Sequence, residues 1–332
     1  MLAPLLLAVA LVVILGGAFL FTNAAEWAGI KLGLGAGAVG SVLAAVATAL
    51  PESAIPVIAI IAGGDQAHEV VVGAIVGAPF MLATIAMALV GLTALVYERR
   101  RPQGRALRAH RPTLQRDLGF FLALFAVAVA LGFGAPLWLR GVAAVMFVAA
   151  YAAYAVLTVR GGGEVQAEKD LDPLTFDPTK HDAPRPLVVA LQFAVGLALI
   201  VGGAHLFVEE IVHVAESLGV SALVLSLVLA PLATELPEKA NSFVWIRDGK
   251  DALALGNITG AMVFQSTVPV ALGLAFTDWD FGGITFLACA LALAGGALAL
   301  FSLHIRARFS RPTIALWAAL FVTFVAAVVA TA

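Results

Sequence analysis

Two glutamates directly follow prolines inside apolar stretches: residues 48–52 read TALPE and residues 234–238 read TELPE. A proline cannot donate to the carbonyl one turn earlier, so Pro51 and Pro237 free the carbonyls of Ala47 and Ala233 as acceptors. Pro56 repeats the break after Glu52, and Pro231 repeats it ahead of Glu235. Thr48 and Glu52 are four apart, as are Thr234 and Glu238, so each pair shares a helix face wherever helical geometry persists. Glu235 lies three before Glu238 and joins that face. Carboxylates, hydroxyls and loose carbonyls form an oxygen site suited to Ca²⁺, Na⁺ or Mn²⁺. A charged carboxylate at the centre of a bilayer costs about 2.5–3.5 kcal/mol, so two of them in matching contexts imply a function. Lys239 can pair with Glu235 or Glu238. Adjacent helical positions diverge by about 100°, however, so it is expected to lie outside the cavity.

These residues need helices to hold them, and the sequence supplies helices suited to lipid. The 332 residues are 62% hydrophobic and 12% charged, with a mean hydropathy of +1.02. Water-soluble domains run at about 45–50% apolar and about 25% charged, so much of this surface must face a bilayer. Apolar stretches of spanning length fall near 2–25, 36–62, 70–96, 118–134, 136–158, 187–214, 219–245, 252–276, 282–303 and 312–331. An all-α polytopic membrane protein of about ten transmembrane helices follows, since open strands cannot satisfy their backbone in lipid. No Lys or Arg precedes Lys31, so the first stretch reads as a retained helix rather than a signal peptide. With the N-terminus outside, every basic residue except Arg140 and Lys239 falls on the cytoplasmic side, as expected in the cell membrane.

The chain also repeats itself. GAIVGA at 73–78 answers GNITGA at 256–261, in the same order after each LPE as its partner. Five spans separate the copies, so the second is threaded in the opposite sense. Two inverted five-helix repeats, 1–158 and 187–332, are expected on either side of a cytoplasmic linker, 159–186, with a binding site at mid-membrane. Asp170, Asp172, Asp177 and Asp182 in that linker lack the Gly and terminal Glu of a calcium loop, and a solvated linker is expected.

ALPES and TELPEKAN, each followed by a Gly-x-x-x-Gly helix, resemble the alpha repeats of the calcium/cation antiporter superfamily, which includes sodium/calcium and proton/calcium exchangers. The resemblance covers nearly the whole chain. It implies alternating access and a cation site formed by the second, third, seventh and eighth spans. By position, Glu52 and Glu238 match the family's central acidic ligands, and Thr48 and Thr234 match its hydroxyl ligands. Ala49 and Glu235 stand where the family usually has Ser or Thr. Ala78 and Ala261 replace serines, and Leu82 stands where the second copy has the carboxamide of Gln265. The remaining acids suit a divalent ion and protons better than several Na⁺ ions.

Other patterns carry less. His205, Glu209 and His213 line one face of the sixth span, but a rise of about 12 Å along the helix separates the ends of that set, too far to share one ion. The five tryptophans read as an aromatic belt at span ends. Cys289 is the only cysteine, and no nucleotide loop, HExxH motif or nucleophilic triad is present. The expected function is therefore not enzymatic. It is secondary antiport of a divalent cation, Ca²⁺ foremost, against H⁺ or Na⁺, with a passive channel using the same carboxylates as the alternative. Inorganic cations and the bilayer are the expected partners. No cofactor, nucleic acid or protein partner is implied.

Overall fold

The computed structural model describes residues 2–31, 50–102, 104, 106, 111–160, 173–178, 184–305 and 310–331. Helix α1 runs over Leu2–Lys31, and α2 over Leu50–Ala62. Helix α3 (Asp65–Met81) passes through a π-helical turn, Leu82–Ala86, into α4 (Met87–Val96). Then follow α5 (Arg111–Leu131), α6 (Leu137–Arg160), α7 (Pro186–Leu218), α8 (Ala222–Thr234) and α9 (Leu236–Arg247). The last are α10 (Asp251–Gln265), α11 (Val268–Phe276), α12 (Gly283–Ile305) and α13 (Arg311–Thr331).

Among the described residues, eight helical segments are long and apolar enough to cross a membrane. The chain is an all-α, multi-pass membrane protein. Two apolar helices, Glu52–Ala62 and Ala222–Leu232, are too short to cross alone, and these adjoin the LPE sequences. The chain breaks at Glu235 between α8 and α9, whereas Pro56 and Pro231, expected to break their helices, lie inside α2 and α8, which continue through them.

Helix pairing recurs at an interval of five expected spans. α2 packs on α3 as α9 packs on α10, and α5 on α10 as α12 on α3. Likewise α6 meets α11 as α13 meets α4, while α1 meets α7 and α5 meets α12. Lipid provides no hydrophobic drive between helices, so close backbone approach must supply the attraction. At the α1–α7 crossing a Cβ on Gly17 would stand 2.9 Å from the Gly196 carbonyl oxygen and 2.8 Å from the Ile200 nitrogen.

The α3–α8 crossing is tighter. Pro231 cannot donate to the Leu227 carbonyl. Gly77 lies against that carbonyl, and a Cβ there would run into it. Ser226 Oγ donates to the Val70 carbonyl at 2.9 Å, fixing the register of the same crossing. Gly77→Val is therefore expected to force α3 from α8. Overpacking of this kind costs about 1–3 kcal/mol, read as a lower melting temperature in detergent, whereas Gly16→Ala, in open space, should leave it unchanged.

Two expectations change. Part of the linker is not solvated: Leu174 is wholly buried with Ala24, Trp27 and Val189. The Thr175 amide donates to Asn23 Oδ1 at 3.1 Å and the Phe176 amide to Gln192 Oε1 at 2.8 Å. An apolar anchor and two buried amide side chains hold this segment between α1 and α7; Asp170, Asp172 and Asp182 lie outside the described residues. The tryptophans also do not form one belt. Trp138 is exposed, but Trp27, Trp279 and Trp317 are buried. Trp279 Nε1 donates to the Ala128 carbonyl at 2.9 Å and Trp317 Nε1 to the Gly295 carbonyl at 3.0 Å. A span-end position permits an aromatic belt, but helix packing decides which rings turn inward.

Candidate cation site at the broken helices

Glu52 stands at the start of α2 and is buried, 7% exposed. It lines a narrow crevice with Ile55, Ala74, Ala78, Ala230, Pro231 and Thr234. Helix α2 thus meets α3 and α8 at a carboxylate. Thr234, 3% exposed, donates its hydroxyl to the Ala230 carbonyl at 3.1 Å, which leaves the hydroxyl's lone pairs available in the crevice. The other walls are almost entirely apolar.

The break between α8 and α9 centres on Glu235, with φ −93° and ψ 1°. Pro237 falls in the first turn of α9, where a missing N–H costs nothing. The Glu235 amide bonds the Pro231 carbonyl at 3.0 Å, and the Lys239 amide bonds the Glu235 carbonyl at 3.0 Å, so the chain bends without losing its direction.

The Glu235 side chain is wholly buried and both its oxygens are engaged. Lys239 Nζ donates to Oε2 at 2.6 Å, and Gln265 Nε2 donates to Oε1 at 3.1 Å. Lys239 therefore pairs with Glu235, one of the two partners its position allows. The expectation weighed its divergence from adjacent Glu238, but Lys239 is four residues from Glu235, and at that spacing two side chains share a face. Gln265 ends α10, and the chain breaks at Ser266–Thr267 before α11 begins. The π turn starts at Leu82, the position answering to Gln265, so both copies deform at the same point.

Of the expected site residues, the fold brings Glu52 and Thr234 to one crevice and joins Glu235 to Gln265. Ala233 lies in α8 and Glu238 in α9. The side chains of both are outside the described residues, as are Ala47 and Thr48 entirely. His205 and Glu209 pair at 3.2 Å with both side chains more than half exposed, away from this site. Among the described residues no three His, Cys, Asp or Glu side chains gather as metal ligands.

Sequence reasoning missed another buried acid. Asp117, 2% exposed, accepts from Tyr154 Oη at 3.0 Å, Thr259 Oγ1 at 2.9 Å and Arg116 Nη2 at 3.0 Å. It ties α5 to α6 and α10 and commits the hydroxyl of Thr259. An expected span starting one residue later left Asp117 outside; its flanking apolar run was the available signal. A further buried pair, Arg101 with Asp251 at 2.7 Å, joins the segment after α4 to the first turn of α10. Burial lowers the Arg101 guanidinium from its ordinary pKa, and the Asp251 carboxylate opposes that shift.

The fold is that of a polytopic membrane protein with buried acids at and beside a helix break. The chain belongs to the sodium/calcium exchanger protein family, whose profile matches residues 2–160 and 188–330. It is 22% identical over 248 residues to the inner membrane protein YrbG of Escherichia coli K12, covering 75% of this chain and 72% of that one. It is 33% identical over 129 residues to CaxA of Alkalimonas amylolytica, a match spanning 40% of that protein's length. Among solved structures, the H⁺/Ca²⁺ exchanger CAX superposes with a TM-score of 0.77 at 20% identity, covering 98% of this chain and 81% of that one. The sodium–calcium exchanger NCX_Mj superposes with a TM-score of 0.59 at 19% identity, covering 98% of each. At these identities the two structures establish the fold.

Proposed function

We propose that this chain is a secondary antiporter built of two inverted five-helix repeats, exchanging one divalent cation, Ca²⁺ foremost, for protons by alternating access. The burial of Glu52 in a narrow crevice beside Thr234 carries this reading. A carboxylate among apolar walls is costly, and a bound cation or a proton offsets that cost. Glu52 and Glu238 are the central ligands. Thr48, Thr234 and the carbonyls of Ala47 and Ala233 complete the shell, with Glu235 and Gln265 flanking it. Three glutamates against Lys239 leave a net negative charge of two, which one divalent ion balances. The recurrence of helix pairings and the matched breaks at Leu82 and Gln265 support the repeat. The basic residues favour a cell-membrane protein with its N-terminus outside.

Protons are favoured over Na⁺ as the coupling ion because the walls about Glu52 offer few oxygens. Ala78 and Leu82 are buried and apolar where neutral ligands would be needed. In proteoliposomes, an acid interior should drive ⁴⁵Ca²⁺ uptake against its gradient, whereas a sodium gradient at fixed pH should not. Uptake that follows sodium and ignores pH would overturn the proton reading. Flux that never exceeds passive equilibration would replace the antiporter with a channel.

A further inference from the structure

Lys239 places an ammonium inside a span, and its contacts give that ammonium a role. Nζ lies 2.6 Å from Glu235 Oε2, with the two side chains 9% and 0% exposed. Gln265 donates to the other carboxylate oxygen at 3.1 Å, while its own Oε1 is buried with no hydrogen-bond partner among the described residues. The contact with Glu235 settles the orientation of this amide, because a reversed amide would set its oxygen against a carboxylate oxygen. The ammonium thus neutralises a buried acid that stands next to an unused amide oxygen. Without it, a carboxylate and a carboxamide oxygen would remain in a dry pocket, and such oxygen donors suit a small hard cation.

We propose that the Lys239 ammonium is a tethered monovalent cation, holding the place beside Glu235 and Gln265 that a free Na⁺ ion would otherwise take. This rests on Glu52 and Glu238 forming the divalent site next to it. Because the lysine is part of the chain, its charge is never exchanged. It balances Glu235 in every state of the cycle and leaves the other acids to the transported ions. The protein then needs no sodium at this position, although its family is named for sodium.

The full chain in lipid nanodiscs tests this, with thermal melting compared in NaCl and choline chloride at equal ionic strength and fixed pH. Wild type and K239R, which keep a tethered cation, should melt alike in both salts. K239M should melt lower in choline and gain a saturable, Na⁺-dependent rise with matching ²²Na⁺ binding. E235Q/K239M should lose that sodium response, because the carboxylate that a small hard cation would bind has gone. A K239M protein indifferent to sodium, a wild type as responsive as K239M, or a double variant that still binds ²²Na⁺ would overturn the proposal.

E235Q provides a second route should K239M fail to fold. It leaves the ammonium beside the divalent site without its counter-charge, so Ca²⁺ uptake should fall by roughly tenfold or more, as like charges in proximity repel. Uptake by E235Q/K239M should exceed that by E235Q, because both members of the ion pair then leave together. Equal uptake by E235Q and the double variant would overturn the proposal. A wild type that moves no divalent cation, alongside a K239M that gains ²²Na⁺ binding, would refute the transport reading and leave the tethered cation standing.

Discussion

Glu52→Gln is expected to abolish divalent transport while leaving the protein folded, and Glu238→Gln to do the same. The substitution keeps the size of the side chain and removes its charge, so the apolar walls of Ile55, Ala74 and Ala78 gain a neutral neighbour rather than a clash. A hard cation loses an anionic ligand, and calcium sites are tuned chiefly by ligand charge. Affinity should fall by roughly 100-fold, about 2.8 kcal/mol at 1.4 kcal/mol per tenfold. The melting temperature without divalent ions should hold or rise, since a buried charge has gone. ⁴⁵Ca²⁺ uptake by purified variants, set beside Glu209→Gln as a control on an exposed residue, measures the effect. Normal uptake by Glu52→Gln would remove this carboxylate from the site.

The largest effect on stability is expected from Arg101→Ala. The side chains of Arg101 and Asp251 are both 0% exposed and meet at 2.7 Å, and a second bond from Arg101 reaches the Ala106 carbonyl at 3.2 Å. Truncating the arginine removes one member of a buried ion pair, a change that costs about 3–5 kcal/mol. Asp251 opens α10, the helix that ends in Gln265, so the loss should also loosen the second half of the site. Arg101→Met with Asp251→Leu should recover most of the stability, because both charges then leave together. Thermal melting of the two singles and the double in one detergent gives the coupling energy. A single variant melting with wild type would show that the pair contributes nothing.

Several features could be read before any coordinates. Hydropathy and helix length gave a polytopic α-helical protein, because lipid leaves few ways to satisfy a backbone. A break was legible beside the second LPE, and it stands at Glu235 between α8 and α9, whereas Pro56 and Pro231 lie inside continuous helices. The TALPE/TELPE and GAIVGA/GNITGA matches located both halves of the candidate site. All of these are local properties, carried by composition and by residues within a few turns of one another.

Tertiary structure decided which side chains turn towards one another. Lys239 looked misplaced beside Glu238 and proves to be bonded to Glu235, because i and i+4 share a helix face and the neighbouring span adds Gln265. Asp117 depends on Tyr154 and Thr259, 37 and 142 residues away, and no local pattern joins them. Leu174 reads as linker until α1 and α7 make a groove for it. The sequence alone determined that this chain lies in a membrane, repeats short motifs and carries acids beside prolines. Only the fold decided which charges neutralise one another, since that depends on the rotation and crossing of helices far apart in the chain.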